Sequence, residues 1–223
     1  MATGVVYRSA RLADASAADR RQLTRLGLVA VIDLRTPDVA RRYPDPVVPG
    51  ARNTVVNLFA VARASTARLR SVADARAHMR AVNTGFVTDP AQRARTARVL
   101  RIIAGARGPV LIHCTEGKDR TGWIAALLQL VAGADRGEIL TEYLKSNDYR
   151  RSAIDQAYRR TSAASGIRRA LIQRATLVVE QSYLSAGLSA LQSRYGSVDE
   201  YLRAGLKLDQ ATVSALRERL VAG

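Results

Sequence analysis

The chain of 223 residues has a single cysteine, Cys114, two histidines and no long apolar run. One cysteine excludes an intramolecular disulfide and a zinc site built from several cysteines. The apolar runs, such as those at residues 29–34 and 109–112, have the length of buried strands, so no membrane span is predicted. The N-terminus lacks a basic segment followed by an apolar one. These absences predict a cytoplasmic protein, although a leaderless export route leaves no trace in a sequence.

Acidic residues are also scarce. The chain has 19 of them against 35 basic residues, of which only three are lysines, and its net charge is +16. Such a field attracts anions: phosphorylated substrates, acidic membrane surfaces or nucleic acid. The two phenylalanines and one tryptophan offer few platforms for base stacking, which argues against nucleic acid as a partner. Arginine richness also follows genome base composition, so charge alone selects no partner, and nothing indicates an oligomeric state.

Local patterns predict alternating helices and strands. Ser16 is a good cap for a helix that ends at Gly27, and buried strands are predicted at residues 29–34, 54–58 and 109–112. The remaining predicted helices span residues 60–88, 90–104, 121–131, 135–145, 148–164, 167–188, 198–204 and 209–221. The predicted fold is therefore α/β, with a mainly parallel sheet flanked by helices and a helix-rich C-terminal part, in a single domain over residues 1–223.

The predicted helix over residues 60–88 carries an apolar stripe that includes Leu69, Met79 and Phe86. Its arginines lie mostly off this stripe. Two interpretations are open: a basic lid over the active site, or an ordinary solvated helix face. The second is the more common use of such a pattern.

The chemistry is carried by residues 113–122, which read HCTEGKDRTG between a buried strand and a helix. A strand–loop–helix junction points backbone N–H groups and the positive end of the helix dipole at one place, which suits a bound phosphate. Gly117 and Gly122 allow the backbone to turn tightly. The same positive environment stabilises the thiolate of Cys114, the nucleophilic form of cysteine.

The residues around Cys114 are expected to bind the phosphate and to assist the departure of the sulfur. Arg120, six positions on, is expected to bind phosphate oxygens with its planar fork. Thr121 is expected to hydrogen-bond the sulfur when it leaves, and Thr115, Glu116 and Gly117 complete the phosphate-binding loop. His113 is interpreted as a residue that orients the loop, or packs at the strand end, rather than as a base.

The pattern Cys-x5-Arg-Thr-Gly after an apolar strand resembles the signature of the protein tyrosine phosphatase superfamily. Eight fixed positions of HCxxGKDRTG resemble most its bacterial branch, whose type member is mycobacterial. Further segments match that branch: YRS at 7–9, LG at 26–27, VIDLR at 31–35 and YGSV at 195–198. The resemblance thus spans nearly the whole chain, although this chain is shorter than the type member.

This resemblance implies a two-step reaction, phosphoryl transfer to Cys114 followed by hydrolysis, with no metal and no cofactor. A general acid must protonate the leaving oxygen. The chain lacks the Trp-Pro-Asp loop of many relatives. Asp119, directly before Arg120, resembles the proposed acid of the bacterial branch and of the myotubularin lipid phosphatases, and is therefore the first candidate. Asp33 is the second, because strand ends face active sites in α/β sheets; it could equally form an ion pair with Arg35 or cap a loop.

Two loop residues bear on the substrate. Lys118 resembles a loop lysine of lipid phosphatases that contacts extra phosphates on an inositol ring, and a general neutralising role is equally open. Glu116 would repel polyanions at the mouth of the site. The predicted function is hydrolysis of phosphate monoesters, with protein phosphotyrosine as the principal substrate and phosphoinositides as a second substrate class. The alternatives are a metabolite phosphatase of a biosynthetic pathway and a catalytically weak phosphate-binding module.

Overall fold

The computed structural model describes residues 1–59 and 68–221, which contain a four-stranded, wholly parallel sheet. The strand order is β1-β4-β2-β3, with β1 at Val6–Ser9, β2 at Ala30–Asp33, β3 at Arg52–Val55 and β4 at Val110–His113. Helices flank this sheet on both faces. The predicted α/β class with a central parallel sheet is confirmed.

Helices make up most of the remaining described chain. They are α1 (Ala17–Arg25), α2 (Pro37–Arg42), α3 (Val72–Thr88), α4 (Pro90–Gly105), α5 (Arg120–Val131), α6 (Arg136–Tyr149), α7 (Arg151–Leu177), α8 (Gln181–Tyr195), α9 (Val198–Glu200) and α10 (Gln210–Val221). A 3₁₀ turn covers Leu12–Asp14, and a π-helical turn covers Tyr201–Gly205. No helix among residues 1–59 and 68–221 combines the length and apolar character needed to cross a bilayer.

Several predicted boundaries are confirmed by capping interactions. Ser16 and Asp19 form a capping box at α1, and Asp135 and Glu138 form another at α6. Asp89 caps α4, whose first residue is proline. These polar residues satisfy the free N–H groups at the start of each helix, so the caps could be recognised locally.

Other boundaries were predicted incorrectly. The helix predicted from residue 60 begins at Val72, because Ser71 caps it there in a capping box; residues 60–67 lie outside the described part of the chain. The helix predicted over 167–188 is two helices separated at residues 178–180. The break predicted between residues 164 and 167 is confirmed, because Gly166 has non-helical backbone angles, with a φ of +81°, and α7 is kinked there. Strand β3 starts two residues earlier than predicted, and strand β1 and helix α2 were not predicted.

The parallel register brings one side of the active site together. Ser9 and Asp33 are both paired with His113, so the ends of three strands lie side by side at one edge of the sheet. Cys114 follows directly after β4, which is an inner strand. The carboxyl edge of a parallel sheet is where ligands bind in such folds.

The sheet separates two apolar layers because side chains alternate along each strand. Val31 and Leu111 face the smaller layer beneath α1, whereas Ile32 and Ile112 face the main core. The main core surrounds Trp123 of α5, which stacks on Phe86 with ring centroids 5.8 Å apart. This packing fixes the helix that follows the phosphate-loop motif.

Gly187 lets α8 approach this core closely. A Cβ at this position would lie 2.9 Å from the Trp123 ring and 3.0 Å from the backbone oxygen of Asn83. We therefore expect Gly187→Ala to lower the free energy of unfolding by about 1–3 kcal/mol through overpacking. Denaturant titration measures this change. The control is Gly105→Ala, where a Cβ meets nothing within 4 Å; equal stability of the two variants would contradict the packing.

Candidate active site

Residues 114–119 form a loop between β4 and α5 that is anchored to the end of β1. Gly117 has a φ of +68°, and a Cβ there would lie 2.6 Å from the backbone oxygen of Ser9. The position therefore requires glycine for its backbone angle and for the close approach. Arg8 donates to the Gly117 carbonyl at 3.0 Å and to the Ser146 hydroxyl at 2.8 Å.

Cys114 lies inside this loop with only 2% of its surface exposed. Its sulfur accepts a hydrogen bond from the Gly117 N–H at 3.2 Å. Burial alone would raise the pKa of the thiol, but the charge of Arg120 and the polar groups of Thr121 outweigh burial, so the pKa lies below its ordinary value. The site therefore favours the thiolate.

Arg120 is the first residue of α5 and its side chain is fixed on several sides. Its Nη1 donates to the Leu34 carbonyl at 3.0 Å, and its Nη2 donates to the Thr115 hydroxyl at 3.2 Å. The guanidinium also lies 4.5 Å from the centre of the Phe59 ring. Within the described residues nothing accepts from its buried Nε–H. Because guanidinium carries five N–H groups, Nε and one hydrogen on each terminal nitrogen stay available for phosphate oxygens.

Asp119 occupies the N-cap position of α5, yet its side chain makes no capping hydrogen bond. The carboxylate is 19% exposed, and both of its oxygens lie 3.0 Å from Nζ of Lys118. Its charge acts on the Cys114 thiol, whose pKa it tends to raise. Asp119 is therefore close to the sulfur and partly accessible.

Glu116 and Lys118 differ in their surroundings. Glu116 is 32% exposed and lies 3.2 Å from Nη2 of Arg150. Lys118 is 1% exposed, so its ammonium group lies inside the protein rather than at the mouth of the site. Glu116 thus has a cation beside it, which reduces its repulsion of anions.

Asp33 belongs to a buried ionic network. Arg35 contacts both of its oxygens, with Nη2 at 2.7 Å from Oδ2, and the same Nη2 lies 2.9 Å from Asp45. His113 connects this network to the loop, because its Nε2 lies 3.0 Å from Asp45 and its Nδ1 lies 3.3 Å from the Cys114 carbonyl. The ion pair of Asp33 with Arg35, one of the alternatives open from the sequence, is present.

The same network contains the one cluster of metal-ligand type found among the described residues. Asp33, Asp45 and His113 bring potential ligand atoms within 4.8 Å of one another. The guanidinium of Arg35 already contacts both carboxylates. An arginine thus supplies the positive charge that a cation would bring.

Arg8, Asp45 and Arg150 contribute to the site but were not among the predicted site residues. Arg8 lies on the strand that was not predicted, although it belongs to the YRS segment that carries the family resemblance. Asp45 lies between two prolines in a segment with no helical or strand pattern. Arg150 is one of many arginines, and only tertiary contact distinguishes it.

A groove of about 820 Å³ opens beside the loop. Thr115 and Glu116 line it on the loop side, and its other walls come from the segment after β1 and from α1, α6 and α7. The charged and aromatic side chains along it are Arg11, Asp14, Asp19, Tyr149, Arg150 and Arg160. Its volume lies in the range of ligand-binding clefts. A second cavity, of about 600 Å³, lies beside Asp33, Arg35 and Asp45 and includes no residue of the loop.

Comparisons with known proteins agree with this arrangement. A model of the tyrosine phosphatase family matches residues 1–222. A Cupriavidus necator protein with a provisional name as a tyrosine-protein phosphatase is 36% identical over 99% of this chain and 80% of its own length. The triple specificity protein phosphatase PtpB of Mycobacterium tuberculosis is 33% identical over 96% of this chain and 90% of its own length. A tyrosine-protein phosphatase of Nostoc commune is 29% identical over 96% of this chain and 73% of its own length.

The buried network gives a test of stability. Burial would raise the pKa of Asp45, but His113 and then Arg35 outweigh it, so the pKa lies below the ordinary value. We expect Asp45→Asn to cost about 1–3 kcal/mol at pH 7, since it removes one of the two carboxylates that the buried Arg35 contacts. A lowered carboxyl pKa stabilises the fold above the unfolded pKa, about 3.9, and this contribution disappears as pH falls through the folded pKa.

Denaturant titration at pH 7 and at about pH 3 measures both effects. The difference between wild type and Asp45→Asn is expected to shrink at the lower pH. Asp38→Asn serves as the control because its exposed carboxylate pairs with the exposed Arg41. If Asp45→Asn matches wild type at pH 7, the network does not stabilise the fold.

Proposed function

The chain belongs to the tyrosine phosphatase family and is a phosphatase, and from this premise we propose that it acts through a phosphocysteine on Cys114, with protein phosphotyrosine as its principal substrate. The observation that carries the proposal is the buried Cys114 sulfur, whose pKa is lowered by Arg120. A thiol in an apolar pocket would instead have a raised pKa and would be inert.

In the first step the Cys114 thiolate attacks phosphorus. The S–P bond forms as the bond from phosphorus to the leaving oxygen breaks, and that oxygen takes a proton from Asp119. The free N–H groups of Arg120 bind the phosphoryl oxygens, while the N-terminus of α5 adds its dipole. The products of this step are the phosphocysteine and the free alcohol or phenol.

In the second step water attacks the phosphocysteine. The Asp119 carboxylate takes a proton from this water, the P–O bond forms, and the S–P bond breaks. The electron pair returns to sulfur, where the Gly117 N–H and the Arg120 charge stabilise the thiolate. Inorganic phosphate leaves and the enzyme is restored, so the cycle requires only substrate and water.

Asp119 is a better candidate for the acid than Asp33. Its carboxylate is 19% exposed beside the loop, whereas that of Asp33 is 1% exposed and is bound on both oxygens by Arg35. A carboxylate enclosed in a buried ionic network cannot reach the leaving oxygen of a substrate, whereas Asp119 keeps part of its carboxylate accessible beside the loop. This difference in surroundings supports Asp119 in the role.

The groove beside the loop supports a substrate larger than a simple phosphate ester. About 820 Å³ accommodates a phosphotyrosine with flanking peptide, and charges of both signs line it. Phosphoinositides remain an additional proposed substrate class, which the family resemblance of the loop implied. The buried Lys118 does not favour them, since its ammonium group is not presented to a ligand. An acidic membrane surface as partner rests on the +16 charge alone.

The test measures phosphate release with EDTA present, from a phosphotyrosine peptide and from a phosphoinositide, across a range of pH. We expect Cys114→Ser to lower the rate of phosphate release from both substrates by at least about three orders of magnitude. Asp119→Asn is expected to lower kcat about 10²–10⁴-fold. Its activity should also no longer decline at high pH, because that decline reports the loss of the proton from the general acid.

Asp33→Asn is the comparison variant for the acid. If it removes the high-pH decline and Asp119→Asn does not, the acid is Asp33. If Cys114→Ser keeps wild-type activity, the phosphocysteine mechanism is wrong. If phosphate is released from neither substrate but is released from small phosphorylated metabolites, the protein is a metabolite phosphatase. If no phosphate ester is hydrolysed, a binding role remains.

A further inference from the structure

Lys118 is one of three lysines in the chain and the one that is fully buried. Its Nζ lies 3.0 Å from each oxygen of Asp119 and donates to the Thr176 carbonyl at 2.8 Å. The ammonium group thus points to the Asp119 carboxylate and the Thr176 carbonyl, and Oε2 of Glu116 lies 3.9 Å from Nζ. Lys118 is surrounded by acceptors of the protein itself and is buried away from a substrate phosphate in this arrangement.

A second cation makes a parallel bridge. Arg150 lies 3.2 Å from Glu116 and donates from Nη1 to the Leu177 carbonyl at 2.7 Å. Asp119 is thus connected through Lys118, and Glu116 through Arg150, to adjacent carbonyls in the last turn of α7. The carbonyl end of a helix carries partial negative charge, which favours cations there.

The last turn of α7 is itself held by the fold. The Tyr183 hydroxyl donates to the Ala175 carbonyl at 2.9 Å, and Asn147 exchanges two hydrogen bonds with the backbone of Val179, at 2.8 and 2.9 Å. Ala175 also packs with Ala75 of α3 in a separate apolar cluster. A group attached to this turn therefore has a fixed position.

We propose that Lys118 is a positioning residue that holds the Asp119 carboxylate to α7, and that it does not contact substrate. The inference rests on the proposed role of Asp119 as general acid. Asp119 stands at the N-cap of α5, where a free carboxylate would bond the first N–H groups of its own helix. Lys118 prevents this, and so keeps the acid outside the place where phosphate binds.

The test compares two phosphate monoesters of equal charge. Phenyl phosphate releases a basic phenolate that needs a proton, whereas p-nitrophenyl phosphate releases a far weaker base that leaves without one. A residue that acts through the general acid affects the first substrate far more than the second. A residue that contacts phosphate affects both equally, and mainly through KM.

We expect Lys118→Met to lower kcat about 10–100-fold on phenyl phosphate and less than about threefold on p-nitrophenyl phosphate, with KM unchanged. Lys118→Arg, which keeps the charge, is expected to recover most of the loss. The double variant with Asp119→Asn should be no slower than Asp119→Asn alone, since both act through one group. Lys145→Met is the matched control, because Lys145 is exposed and pairs with Glu142 on the surface of α6.

Equal loss on both esters, a rise in KM alone, or additive losses in the double variant would overturn the positioning role. A loss confined to phosphoinositide hydrolysis would assign Lys118 to substrate binding. Should Lys118→Met fail to fold, Lys118→Gln permits the same comparison. A fully active Cys114→Ser would contradict the proposed mechanism itself, whereas an inactive Cys114→Ser with equal losses for Lys118→Met would contradict only this inference.

Discussion

The rest of the site depends on positive charge beside one buried sulfur. Burial raises the pKa of Cys114, and Arg120 with the start of α5 more than reverses this effect. The arrangement works only if Arg120 stays in place, and the Leu34 carbonyl, the Thr115 hydroxyl and the Phe59 ring hold it there. The loop is held in turn by Arg8 from β1. The sheet edge, the loop and the following helix thus act as one electrostatic unit.

Some of the many arginines stabilise the interior of the protein, in addition to charging its surface. Arg8, Arg120 and Arg150 donate to backbone carbonyls, and Arg35 forms the centre of the buried network. A guanidinium carries five donors in a planar fork, which suits carbonyls and carboxylates that would otherwise be buried without partners. Some of the arginines that contribute to the +16 net charge are therefore buried or bound within the protein, so the charge is not spread evenly over the surface.

The features that could be predicted from the sequence are those set by residues close together in the chain. The α/β class, the helix cap at Ser16, the capping box at Asp135 and the loop from Cys114 to Arg120 follow from short-range patterns. Strand β1 was not predicted because four half-buried residues become a strand only by pairing with β4. The burial of the Lys118 side chain against α7 could not be predicted either, because Thr176, which accepts a hydrogen bond from its Nζ, is 58 residues away along the chain. The lid suggested for residues 60–88 stays a prediction over its first eight residues, which the structure does not describe.

The most direct test of the account is a titration of Cys114 in the free enzyme. Because it is the only cysteine, the ultraviolet absorbance of its thiolate, with Cys114→Ser subtracted, reports this group alone. The account predicts a midpoint clearly below about 8.5, the ordinary value for cysteine, and a higher midpoint in Arg120→Met. A midpoint at or above that value in the wild type would contradict it, because burial rather than positive charge would then dominate at the sulfur.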